Sequence, residues 1–226
     1  MSAEHTSPAT ASQSAAESAL ASNRVLRNTY ALLSMTLFFS VVVAAISVAL
    51  KLPHPGIVIT LVGFFGLLYA TSKLQNSAWG LLAVFALTGF MGYTLGPIVS
   101  KYLALPNGHQ VVMMAMGGTA TIFVGLSAYA LTTRKDFSFM GGFLLAGIIV
   151  AFLAGLGNLF FQIPALSVTV AAAFVLLMGG LILFETSRIV HGGETNYISA
   201  TVSLYVAIYN LFSSLLALLG FGSSSD

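Results

Sequence analysis

Residues 137 to 184 contain no Asp, Glu, Lys or Arg, and that run closes on "LFETSRIV", which brings in Glu185 and, three positions later, Arg188. On a helix this spacing puts both side chains on one face, where a carboxylate and a guanidinium pair. Two readings of Glu185 stand side by side. In the first, the pair sits at a membrane interface and sets the depth of its helix. In the second, Glu185 faces the interior of a helix bundle, where partial dehydration makes its charge responsive to pH or to a bound cation. The two are compatible, because a carboxylate held by an arginine is a latch that protonation can release.

The neighbouring polar residues are few. "HGGETNY" supplies His191, Glu194 and Asn196 in the segment that follows. His191 and Glu194 could touch a metal, but two ligands on a glycine-rich loop make a weak site, and the glycine pair reads more simply as a turn with Glu194 favouring the start of the next helix. "SLYVAIYNLF" places Tyr205, Tyr209 and Phe212 on one helical face with Asn210 beside them, and Asn158 is a second amide inside an apolar stretch. Such amides bond across helices or line a water or ion path. Hydrolytic machinery is missing: there is no H-E-x-x-H and no G-x-S-x-G, the four histidines fall outside apolar segments, and no second carboxylate accompanies Glu185 at membrane depth. The expectation is a protein that is not an enzyme, with no cofactor and no metal centre.

The elements that position these residues follow from composition. Hydrophobic residues make up 58% of the 226 and charged residues only 6%, against about 25% charged in a soluble domain, whose surface must face water. The chain is therefore read as an all-α polytopic membrane protein. Twenty-two glycines and 17 phenylalanines suit it, since helix interfaces in lipid favour small residues and lipid-facing surfaces tolerate bulky ones. A formal charge of +2 with scattered basic residues gives nucleic acid no surface, and the lack of cysteine removes disulfides and thiolate chemistry.

A crossing takes about 20 residues. Charges and turn residues divide the chain into seven such stretches, near 30–50, 56–72, 78–99, 110–132, 139–161, 164–184 and 197–219, with Pro164 splitting the long uncharged run. "GFMGYTLGP" carries Gly89, Gly92 and Gly96, which read as close helix contact or as a constriction beside Pro97. With the N-terminus in the cytoplasm, Arg24, Arg27, Lys73, Arg134, Lys135 and Arg188 lie inside and only Lys51 and Lys101 outside, as the positive-inside rule asks. Residues 1–23, rich in Ala, Ser and Thr and without the apolar core of a signal peptide, read as a flexible cytoplasmic tail, disordered or weakly helical. Residues 24–222 form the membrane domain, and 223–226 a short tail on the opposite side.

"RVLRNTYALLSMTLFFS", "LTGFMGYTLGPI", "GGTATIFVGLSAYALTTRKDFSFMGGFL" and "LFETSRIVHGGETNYISATVSLYVAIYNLFSSLLALLG" together resemble the Bax inhibitor-1 family, in particular its bacterial YccA-like branch. The resemblance runs from Arg24 to Gly222. It implies seven membrane helices with the seventh central among them, and residence in a bacterial inner membrane.

Two functions come with that resemblance. The calcium-leak branch implies a pair of acids that share a proton and gate a calcium-permeable path by pH. Glu185 matches the first acid, but the second falls at Ala207, so the dyad is incomplete here, and no basic residue between Lys51 and Lys73 supplies the latching arginine found in some members. Arg188 and Asn210 complete the candidate ion path. The YccA-like branch implies binding to the membrane-anchored ATP-dependent zinc protease FtsH, and to membrane regulators associated with it. Such a member is a substrate taken from its N-terminus, through a handle that here would be Met1, Ser2, Ala3, Glu4 and His5, and a modulator that slows degradation of other membrane proteins. Modulation of the protease is the leading expectation and the calcium leak the alternative.

Overall fold

The computed structural model describes the backbone of residues 8–222 and the side chains of residues 20–222. The proposed handle Met1, Ser2, Ala3, Glu4 and His5 and the tail 223–226 lie outside the described residues. Among the described residues seven α-helices follow one another: α1 (Pro8–Ala49), α2 (Ile57–Leu74), α3 (Trp79–Leu103), α4 (Gly108–Thr133), α5 (Gly141–Phe161), α6 (Pro164–Val190) and α7 (Tyr197–Gly222), with a 3-10 turn over Ser138–Met140 leading into α5. Each contains a segment long and apolar enough to cross a membrane.

The breaks fall where the backbone changes hand. Lys51, Arg134 and Gln162 adopt positive φ near 50° just past the ends of α1, α4 and α5, the left-handed stop that closes many helices. Pro164 then opens α6 at its first position, where a missing amide proton is harmless. Two ends differ from the sequence reading. Helix α1 begins at Pro8, so residues 8–23, expected to be disordered or weakly helical, are a continuation of the first helix, whose apolar span starts at Leu20. Their alanines are the strongest helix formers, and a helix already nucleated in the membrane extends at little cost. Helix α6 runs six residues past Phe184, to Val190, which carries Glu185 and Arg188 on its last two turns.

Helix α7 is the axis of the bundle. It packs against α1, α2, α3, α4 and α6, while α5 packs mainly on α6 and its own leading turn and meets α2 through Phe152 against Phe65. Leu204, Tyr205, Ala207, Leu211 and Leu216 of α7 are almost wholly inaccessible. Helix α3 lies closest to α1. A methyl group at Gly92 would run into the Ser40 carbonyl, and one at Gly96 into the Ser47 side chain, so these glycines serve close helix contact and not a constriction. Outward faces carry Phe38, Val58, Val62, Met113, Phe143 and Phe160, all exposed as lipid-facing residues are.

Hydroxyls stitch the α1–α3–α7 seam. Tyr205 donates to the Thr88 carbonyl at 3.2 Å, so the 2.6 Å contact with Ser40 has the serine as donor. Thr94 donates to the Met91 carbonyl, so Tyr209 donates to Thr94 across 3.1 Å. These four hydroxyls are satisfied by pairing across helices, as an apolar surround demands.

Candidate functional site

The polar residues gather at the end of the bundle where α6 stops and α7 starts. Arg188 is the centre. Its Nη1 lies 3.3 Å from Oε2 of Glu185 one turn back on α6, and its Nη2 lies 3.7 Å from Oε2 of Glu194 in the following loop. The guanidinium also donates to the Gly193 carbonyl and covers the Phe184 ring. Glu185 is 5% exposed, and the Ser203 hydroxyl on α7 also reaches its carboxylate. One cation thus joins two carboxylates from different elements.

The turn is built to make this possible. The Gly193 N–H reaches the Arg188 carbonyl at 2.8 Å and the Gly192 N–H the Ile189 carbonyl at 3.2 Å, the paired closure in which the residue after the cap takes a left-handed conformation. Gly192 supplies it, with φ of 72°. The chain then turns back so that Glu194 faces Arg188. Glu194 accepts from the Asn196 backbone N–H at 2.8 Å and from the Ser199 hydroxyl at 3.0 Å. Asn196 caps α7, its Oδ1 accepting from the N–H groups of Ile198 and Ser199. Its amide nitrogen bonds the Gln75 carbonyl and the Asn76 side chain, which ties in the α2–α3 loop.

The α4–α5 connection is fastened from the other side. The Ser187 hydroxyl donates to the Lys135 carbonyl at 3.0 Å and accepts from the Phe137 N–H at 3.1 Å. His191 lies against the Arg134 carbonyl. Asp136, fully exposed, accepts from the Ser138 N–H at 2.8 Å; that bond and the nearby His191 hold its carboxyl below the usual carboxylate range. Between the root of α1 and the α6–α7 turn opens a cleft of about 700 Å³, lined among others by Arg24, Asn28, His191, Glu194 and Tyr197.

The sequence-level candidates divide accordingly. Glu185 and Arg188 do meet. Ala207 sits in an apolar layer with Leu177, Met178, Ile182 and Leu211, and brings no polar atom to them. Asn210 is corrected: its amide donates to the Val206 carbonyl of its own helix at 2.8 Å rather than across the bundle. Asn158 does bridge helices, bonding Ser167 of α6 at 2.6 Å, and it also accepts from the Ile163 N–H at the α5–α6 turn. The second carboxylate at Arg188 was missed. Glu194 is nine residues from Glu185, and only the reversal at Gly192 brings it round, so no spacing rule points to it. Among the described residues no three His, Asp or Glu side chains cluster to hold a metal, and calcium, which takes six to eight oxygens, would find two carboxylates already joined through a cation.

Comparison with known proteins agrees with this architecture. Residues 22–224 match the family described as "Inhibitor of apoptosis-promoting Bax1". An uncharacterized protein of Pseudomonas aeruginosa is 57% identical over 202 residues, covering 89% of this chain and 91% of its own. The Escherichia coli K12 protein named "Modulator of FtsH protease YccA" is 55% identical over 206 residues, covering 91% of this chain and 94% of its own. A protein of Escherichia coli O6:H1 named "Inner membrane protein YccA" gives the same values.

Proposed function

Since this chain belongs to the family of inhibitors of apoptosis-promoting Bax1, we propose that it is a multi-pass inner-membrane protein that binds the FtsH protease and limits its degradation of other membrane proteins. The observation that carries this reading is the likeness to the protein named as that protease's modulator, which extends over 91% of this chain and 94% of the relative. The protein acts by binding rather than by catalysis. Its polar residues are engaged with one another: Arg188 with two carboxylates, Ser187 with the Lys135 carbonyl, Asn196 with the α2–α3 loop. The N-terminus lies in the cytoplasm, which puts Arg24, Arg27, Lys73, Arg134, Lys135 and Arg188 on the inner side.

In this reading the protease engages the N-terminal residues, and the α1–α3–α7 seam resists extraction of the remainder. The test is a pair of lifetimes in cells that hold the protease. Deleting residues 2–12 should prolong the protein's own lifetime, and raised levels of the intact protein should slow turnover of an unrelated membrane substrate of FtsH. Unchanged substrate turnover, with the protein shown to be inserted, would overturn the modulator reading.

A regulated calcium leak is the second reading: Glu185 is buried near a second carboxylate, Glu194, with Arg188 between them, so calcium would have to displace that cation. Calcium flux into proteoliposomes at about pH 6 and about pH 8, for wild type and Glu185→Gln, decides it. Flux no greater than in empty liposomes removes it.

A further inference from the structure

The ring of His191 lies between two backbone carbonyls. Its Nδ1 is 2.9 Å from the Ser187 oxygen, one turn back on α6, and its Nε2 is 2.9 Å from the Arg134 oxygen at the end of α4. A carbonyl oxygen only accepts, and a neutral imidazole has only one N–H. The nearby Ser187 hydroxyl, 3.4 Å from Nδ1, cannot supply the missing proton, because it donates its own to the Lys135 carbonyl. Both contacts are hydrogen bonds only when both ring nitrogens are protonated. We propose that His191 is a proton-binding site whose occupancy fastens the α4–α5 loop to the end of α6.

The surroundings bear on the charge from every side. From the α4–α5 loop, Asp136 attracts the imidazolium, as its own lowered carboxyl affinity reflects, while the Arg134 and Lys135 side chains are exposed to solvent. Arg188 on α6 is joined to Glu185 and Glu194, so that cation is spent on two carboxylates. Arg24 of α1, Glu194 and Tyr197 share the cleft beside the ring. His191 also stands at the C-terminus of α6, where unpaired carbonyls give a negative end that favours a cation. The ring is exposed, so protons reach it from water without opening the bundle.

The consequence is local and directional. The Arg134 backbone is left-handed, with φ of 49°, a conformation that a non-glycine residue holds only when its surroundings fix it. With the ring protonated, His191 and Ser187 hold residues 134–137 at three points: the Arg134 carbonyl, the Lys135 carbonyl and the Phe137 N–H. With the ring neutral, a lone pair faces a carbonyl oxygen and one contact becomes repulsive. The one N–H left is shared between the Ser187 and Arg134 carbonyls, so the ring's hold on Arg134 weakens and the loop depends more on Ser187. The site is distinct from the Glu185–Arg188–Glu194 group and does not depend on the protease reading.

The chain has no cysteine, so a single nitroxide on Lys135→Cys, whose side chain is exposed and whose carbonyl alone makes the contact, reports on this loop in the full-length protein in nanodiscs. Spectra taken from about pH 6 to about pH 8 should show an immobilised component that shrinks as pH rises. In His191→Gln the spectrum should be mobile and indifferent to pH, whereas Ser187→Ala should be looser throughout and still respond. Nitrogen-15 spectra of histidine-labelled wild type supply a second reading that needs no variant at His191: both ring nitrogens carry protons at the acid end. A loop equally mobile at both ends of the range, a response that persists in His191→Gln, or a ring with one bare nitrogen at the acid end overturns the proposal.

Discussion

Ser40 of α1 and Tyr205 of α7 meet across 2.6 Å, hydroxyl to hydroxyl, at a point where neither is accessible to solvent. Tyr205 passes its own proton to the Thr88 carbonyl of α3, so one phenol oxygen fastens three helices. Tyr205→Phe keeps the ring and removes the junction, leaving the Ser40 hydroxyl without its partner. The expected loss is about 1–2 kcal/mol, read as a lower midpoint of thermal unfolding in detergent. Ser40→Ala should cost less, since it removes the group that would otherwise be stranded. Equal midpoints for Tyr205→Phe and wild type would show that the seam does not depend on this bond.

Helices α1 and α3 approach closely at Gly92, where a Cβ would collide with the Ser40 carbonyl. Backbone cannot move aside as a flexible side chain can. Gly92→Ala should therefore destabilise the bundle by about 1–3 kcal/mol, whereas Gly117→Ala on α4, where nothing lies within reach, should be neutral or slightly stabilising through better helix propensity. Comparing the two variants by thermal unfolding separates close packing from a general intolerance of side chains at glycine positions.

Among the described residues Arg188 is the cation that joins Glu185 and Glu194. Arg188→Gln leaves the buried Glu185 carboxylate uncompensated, for which about 3 kcal/mol is expected. Adding Glu185→Gln should recover part of that loss, because the stranded charge goes with it. A double variant less stable than Arg188→Gln alone would mean that Arg188 acts through packing on Phe184 and not through charge.

Asp136 gives a pH dependence with a definite sign. Its folded carboxyl holds protons less tightly than an unfolded one, so its contribution is present above the ordinary carboxylate range and is lost as pH falls through the lowered value. Carbon-13 titration of Asp136 should give a midpoint below about 3.9, moving upward in His191→Gln. A midpoint at or above that value would mean that the Ser138 bond does not persist in solution.

Much of this molecule was legible without coordinates. Seven spans follow from where charges and prolines interrupt apolar sequence, and lipid enforces that reading because every backbone group of a crossing segment must bond within its own helix. Pro164 marked the α5–α6 break because a proline's geometry is local. Glu185 and Arg188 could be paired from spacing, since three positions on a helix fix a common face. Alanine composition was the weaker guide: it left residues 8–23 between disordered and weakly helical, and they prolong α1, because propensity counts for more once a helix is already nucleated.

What sequence could not supply were meetings between distant segments. Glu194 reaches Arg188 only because Gly192 turns the chain back, and His191 finds the Arg134 carbonyl 57 positions away because α4 and α6 end at the same level. Tyr205 finds Ser40 165 positions away because α7 runs through the middle of the bundle. Hydropathy and turn chemistry act over one or two turns and so determine which segments cross. Which polar atoms then pair is decided by the packing of glycine-lined helices around α7, and no local signal carries that.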